Sequence, residues 1–197
     1  MNLEDVMASI YNSKDFTAGG GSASAVSAAM AASLVGMVAR LSIGKDLGLS
    51  DEAYEILAAE MDGVSLGLRD GACRDLEAFL GIKAAYALAK ATDEEKSARR
   101  EAIEKAAYTA ADVPRQNALL ALKVMNAATQ LEGRSNVNAA SDLEVGSDLA
   151  RSAIKGCLAN IRANLGLIRS PRATEELVSF IRQMEEETAT RKGMEEQ

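Results

Sequence analysis

An aspartate occupies a position where an apolar side chain is expected. At 100° per residue, Leu57, Met61, Val64, Leu68, Ala72, Asp75 and Phe79 fall on one helical face. Asp75 lies within that apolar stripe, and a carboxylate is costly to bury unpaired. One reading is a desolvated acid with a raised pKa, suited to general acid/base work. The other is an acid that pairs with an arginine or caps a neighbouring helix. Composition sharpens the question, because the 197-residue chain has no histidine. That excludes Ser-His-Asp and Cys-His arrangements, the HExxH zinc site and the Glu-x-x-His di-iron motif. Proton transfers must then run through carboxylates, lysines, hydroxyls or water.

Three further segments could bind a ligand. Gly146, Ala150, Ala153, Cys157, Asn160 and Asn164 share another helical face. Its two amides, one turn apart, could read the edge of a planar heterocycle, or could fix helix register by a hydrogen bond. Gly19-Gly20-Gly21-Ser22 precedes a helix. Its backbone N–H groups could hold a carboxylate, or the segment could be a tight turn with Ser22 as N-cap. Ser135-Asn136-Val137-Asn138 is dense in hydrogen-bonding groups, as turn-rich loops are. There is no Walker loop and no GxGxxG motif. Cys73 and Cys157 cannot form an ordinary closed zinc site, and read as reduced thiols.

The elements that carry these residues are helical. Hydrophobic residues make up 48% of the chain and aromatics 4%, with two prolines and no Trp. The apolar mass is therefore Ala, Leu, Val, Ile and Met, and no strand-like alternation appears. Seven helices are expected: Met1–Asn12, Ser22–Ile43, Asp51 to Gly81 or beyond, Thr92–Asp112, Pro114–Leu131, Ser141–Ile168 and Ala173–Lys192. Thr92…Glu95 and Ser141…Glu144 read as capping boxes. Short connections make this an antiparallel multi-helix bundle and a single domain over residues 1–197. The run Thr17–Ala39 is uncharged, but too rich in Ala, Ser and Gly for a membrane span; it reads as a buried helix. The net charge of −7, without a basic stripe, argues against nucleic acid as partner. The N-terminus lacks a signal pattern, so a cytoplasmic protein is expected.

In order along the chain, several stretches resemble the formimidoyltetrahydrofolate cyclodeaminase and methenyltetrahydrofolate cyclohydrolase family. They are Thr17-Ala18-Gly19-Gly20-Gly21-Ser22, Leu41-Ser42-Ile43-Gly44-Lys45, Asp75-Leu76-Glu77-Ala78-Phe79, Lys90 to Lys96, Asp112-Val113-Pro114, Asn136-Val137-Asn138-Ala139-Ala140-Ser141-Asp142, and the Asn160/Asn164 pair. Ala18 stands where the family pattern has Pro, Ala89 and Ala91 where it has Pro and Asn, and Ser135 where a Gly is common.

The resemblance implies a bundle that dimerises through helices, as a homodimer or higher even oligomer, and acts on a tetrahydrofolate derivative, polyglutamylated or not. It makes Asp75 the catalytic proton acceptor. Asn136, Asn138, Asn160 and Asn164 would orient the pterin or the bridge nitrogens, with Ser141 and Asp142 in the same binding set. Ser22, the N–H groups of Gly19, Gly20 and Gly21, Arg40 and Lys45 would take the glutamate carboxylates. The expected reaction closes 5-formimidoyl-tetrahydrofolate to 5,10-methenyl-tetrahydrofolate with release of ammonia. The alternative is hydrolysis of the methenyl compound to 10-formyl-tetrahydrofolate, which the lack of a fused transferase domain favours slightly. No metal and no cofactor beyond the folate are expected, because the electrophile is already a cationic amidinium. A non-catalytic helical assembly module is the rival from another class, and leaves Asp75 unexplained.

Overall fold

The computed structural model describes residues 18–195, with Ala8, Ile10 and Asn12. The expected helix Met1–Asn12 otherwise lies outside these residues. The described residues hold five α-helices: α1 Gly20–Ser42, α2 Asp51–Ala87, α3 Asp93–Leu131, α4 Ala140–Leu165 and α5 Pro171–Glu195. A 3₁₀ turn, Val137–Ala139, leads directly into α4.

Neighbouring helices run antiparallel. Ser22 of α1 meets Asp75 of α2, while Gly36 meets Met61. Gly67 of α2 faces Leu120 of α3, and Gly71 faces Asn117. Ser24 of α1 faces Gly156 of α4, and Val35 faces Gly146. The four helices thus form an up-down bundle, with α1 packed against α2, α3 and α4.

Helix α1 is long and apolar enough by composition to span a membrane, yet Ala25, Ala28, Ala31, Ala32, Val35, Val38 and Ala39 are buried in the bundle. Its small side chains explain the packing. A Cβ on Gly146 would lie 3.0 Å from Val35 Cγ2, tight enough to push that side chain aside, so its absence lets α1 and α4 pack closely. Helix α5 lies against this core through Leu177, Ile181 and Met184, and Glu104 of α3 accepts the N–H groups of Arg169 and Ser170 just before it, at 3.1 and 2.8 Å.

The structure joins two expected helices. Rather than stopping at Asp112 and restarting at Pro114, α3 runs through. Proline disfavours a helix interior because its N–H is missing and its ring crowds the previous turn. Here side chains on both sides of the proline compensate. Asp112 accepts Arg115 Nε at 2.8 Å and Gln116 Nε2 at 2.6 Å, while Arg74 of α2 donates to Gln116 at 2.6 Å.

The Thr92 capping box is present, with Glu95 N donating to Thr92 Oγ1 at 3.2 Å and Thr92 N to Glu95 Oε2 at 3.1 Å. Thr92→Ala is expected to cost about 1 kcal/mol, read as a Tm lower by about 2–4 °C. An unchanged Tm would mean that α3 is held from its middle alone. The second expected box is absent. Helix α4 starts at Ala140 with no side-chain cap, because Asn136 has already capped the 3₁₀ turn that feeds it, accepting from Asn138 N at 3.1 Å.

Candidate active site

Asp75 is 8% exposed and lies where α1, α2 and α4 converge. The Ser22 hydroxyl donates to Asp75 Oδ2 at 2.9 Å and lies 3.2 Å from the Ala72 carbonyl. Ser22 is therefore not an N-cap. The helix begins two residues earlier, after Gly19, and Ser22 turns its hydroxyl onto the acid across the interface.

Gly21 makes this possible. A Cβ there would lie 2.2 Å from Asp75 Oδ1 and 2.3 Å from Asn160 Nδ2. The carboxylate of α2 and the amide of α4 occupy the volume of the missing side chain. Ala18, Gly19, Gly21, Asp75, Asn160 and Asn164 line one cavity of about 320 Å³, which Phe79, Ile82, Ala110 and Ala163 complete with apolar surface. A few polar groups on an apolar wall are the usual make-up of a small-molecule site.

Burial raises the pKa of Asp75, while the hydroxyl and backbone N–H of Ser22 oppose that rise. Desolvation wins because one serine cannot replace a hydration shell. Among the described residues no arginine pairs with the acid, which favours the desolvated carboxyl of the two sequence readings. The Cys157 thiol is buried near it. Burial and the charge of Asp75 push it up to about 12, so it stays protonated and packs as an apolar side chain in the core.

The amides are turned by their own contacts. Asn164 Nδ2 donates to the carbonyls of Asn160 (3.0 Å) and Ala110 (3.2 Å), and lies 3.3 Å from Asn160 Oδ1. This leaves Asn160 Nδ2 beside Asp75 and Gly21 as a donor, and Asn164 Oδ1 as an acceptor.

The other expected site residues gather elsewhere. Ser42 at the end of α1 accepts from Asn136 N at 3.0 Å, and Asn136 Nδ2 donates to Leu41 O at 3.2 Å. Ser22 and Ser42 lie near opposite ends of α1, separated by a rise of about 30 Å. Asn136, Asn138, Ser141 and Asp142 therefore sit at the opposite end of the bundle from Asp75, and the Asn136 side chain holds its loop. Arg40 pairs with Asp62 on the surface. Lys45 is exposed in the turn opened by Gly44, whose φ is 73°. Gly19, Gly21, Ser22, Asp75, Asn160 and Asn164 come together, with Gly20 exposed beside them. Sequence reasoning missed Ile82, Ala110 and Ala163; small or apolar, they carry no chemical signal of their own.

The fold and site define a class: an all-α bundle with one buried, hydroxyl-bonded carboxyl beside an amide pair. Comparison with known proteins makes this specific. The profile of the formiminotransferase-cyclodeaminase family matches residues 3–183, and the chain belongs to that family. The methenyltetrahydrofolate cyclohydrolase of Methylorubrum extorquens is 36% identical over 149 residues, covering 75% of this chain and 72% of that one. The formimidoyltransferase-cyclodeaminase of Gallus gallus is 30% identical over 179 residues, 86% of this chain but 31% of that protein. The crystal structure of formiminotetrahydrofolate cyclodeaminase from Thermotoga maritima matches with a TM-score of 0.84 at 25% identity, covering 96% of this chain and 91% of that one.

Proposed function

We propose that this chain is an enzyme acting on the carbon that bridges N5 and N10 of a tetrahydrofolate derivative, with Asp75 as its proton carrier. The observation that carries this is the desolvated carboxyl in a small cavity. Of the two reactions, hydrolysis of 5,10-methenyl-tetrahydrofolate is favoured here, because the cyclohydrolase relative has the higher identity and matches over most of its own length. Water attacks the amidinium carbon, Asp75 takes a proton from it, and the C–N5 bond breaks. That proton passes to N5 while the carbinol hydroxyl gives up the second proton of the water to solvent as the carbonyl forms, leaving 10-formyl-tetrahydrofolate. One carboxyl whose pKa has been raised towards neutrality can accept and return that proton. A cationic substrate would also favour the ionised form of Asp75 on binding. Ser22 holds Oδ2, so Oδ1 is the oxygen that takes the proton of the water.

The cyclodeaminase reading is supported by the solved relative that covers 96% of this chain. There N10 replaces water as nucleophile, Asp75 takes the N10 proton and returns it to the amidine NH₂ group, and the C–N bond breaks to release ammonia and leave the methenyl cation. Neither reaction calls for a cofactor beyond the folate, since the reacting carbon is already cationic. We also propose a homodimer or higher even oligomer. The exposed apolar residues Met30, Leu41, Ile56 and Leu66 on α1 and α2 are suited to a contact between copies.

Supplying the two folates separately decides the reaction. Loss of methenyl absorbance without ammonia would name the cyclohydrolase, and ammonia release from the formimidoyl compound would name the cyclodeaminase. Turnover of neither would end the folate reading. The pH profile should carry the acid's signature. As a base Asp75 must be ionised, so kcat/KM should rise with pH through the free-enzyme pKa, which burial places above the ordinary aspartate value. A profile already flat at the ordinary value would remove Asp75 from the role.

A further inference from the structure

Pro114 lies in the interior of α3. A proline has no N–H, so the carbonyl four residues earlier, that of Ala110, lacks its helical donor. This carbonyl accepts Asn164 Nδ2 from α4 at 3.2 Å. Ala110 also lines the cavity that holds Asp75. The hydrogen bond missing from one helix thus leaves an acceptor for a site residue on another.

The polarity of that contact propagates. The Asn164 atom facing Ala110 O also faces Asn160 O and Asn160 Oδ1, at 3.0 and 3.3 Å. Only a nitrogen can sit opposite three acceptors, so Asn164 Oδ1 must point the other way. With Oδ1 of Asn160 directed at Asn164, Asn160 Nδ2 lies 2.3 Å from the place a Gly21 Cβ would take, and Asp75 Oδ1 lies 2.2 Å from the same place. The opposite setting would bring an amide oxygen against the carboxylate, two acceptors without a hydrogen between them.

We infer that Pro114 is a positioning residue: by leaving the Ala110 carbonyl without a helical donor, it anchors Asn164 and so sets which ends of Asn160 and Asn164 the cavity presents. A donor is fixed beside the acid, and an acceptor one turn away. A ligand edge that both accepts and donates matches this pair; one with acceptors alone does not. The inference rests on the folate reading only for its substrate, since the orientation belongs to the protein itself.

An alanine at 114 restores the N–H, which then donates to the Ala110 carbonyl in competition with Asn164. Alanine also has the higher helix propensity. Pro114→Ala should therefore keep or raise Tm, yet lower kcat/KM about 10-fold, as the loss of one oriented hydrogen bond does. Asn164→Ala should lose at least as much, since it also removes the acceptor, and the double variant should lose no more than Asn164→Ala alone, because the proline acts only through that side chain. The side-chain NH₂ signal of Asn164 gives a readout independent of turnover. It should exchange slowly with solvent in the wild-type protein and quickly in Pro114→Ala. Additive losses in the double variant, full kcat/KM in Pro114→Ala, or slow exchange that survives it would each overturn the proposal. So would a large fall in Tm, which would make Pro114 a packing residue. If the wild-type protein turns over neither folate, the folate reading fails, and the amide signal alone decides this one.

Discussion

Replacing Asp75 with asparagine is expected to lower kcat by about 10²–10⁴-fold, the range for removing a general base, while leaving the protein at neutral pH at least as stable as before. The two effects share one cause. Burial raises the pKa of Asp75, so the folded protein holds this proton more tightly than the unfolded chain. The resulting stability is fully present below the unfolded pKa and is lost as pH rises through the folded one. Each unit of that rise corresponds to about 1.4 kcal/mol. An asparagine does not ionise, so the variant should gain on the wild-type protein as pH rises across that window. Thermal melts of both proteins across the acid range check the sign. A variant that loses ground as pH rises would show that the carboxylate is stabilised in the fold, and that the acid is structural.

The second large effect belongs to Gly21→Ala. The new Cβ would meet Asp75 Oδ1 at 2.2 Å and Asn160 Nδ2 at 2.3 Å, distances at which both groups must move. Overpacking of this kind costs about 1–3 kcal/mol. A displacement of about 1 Å at a catalytic group can cost about 10²-fold in rate. The fall in kcat/KM should therefore exceed what the fall in Tm accounts for, when measured well below the melting temperature. Gly81→Ala serves as the contrast. That glycine is inside α2 with nothing within 4 Å of the added carbon, and should gain about 1 kcal/mol from helix propensity. Equal kcat/KM in Gly21→Ala and the wild-type protein would mean that the carboxylate can leave Gly21 without consequence.

Asp75 is legible in the sequence because its position breaks a strong period. Apolar neighbours spaced by three and four leave few places for that side chain to go, and the structure buries it. The amide pair is legible for the same reason, since a face of small residues ending in Asn160 and Asn164 must meet a neighbour closely. The orientation of those amides is not. It depends on Ala110, which carries no signal, and on Pro114, which reads locally as the first turn of a new helix. The bonds of Asp112 to Arg115 and Gln116 keep α3 intact there, and Arg74 joins them from another helix. The Arg74 contact, with a partner 42 residues away in the chain, is not visible in local propensity.

The cap expected at Ser141 fails for a related reason. Asn136 starts the turn earlier, and its own anchor is the end of α1. The same anchor explains why the binding residues expected from the resemblance divide into two groups. Asn136 and its neighbours follow the C-terminal end of α1, whereas Asp75 follows the N-terminal end. A list of residues gives no hint of the length of helix between them.

The most direct test of the central claim is to follow the near-UV absorbance of 5,10-methenyl-tetrahydrofolate with wild-type protein and with Asp75→Asn, side by side. Accelerated loss is expected with the wild-type protein, and only the background rate with a folded Asp75→Asn variant. Wild-type rates from that variant would contradict the claim, because the buried acid would then be carrying no proton.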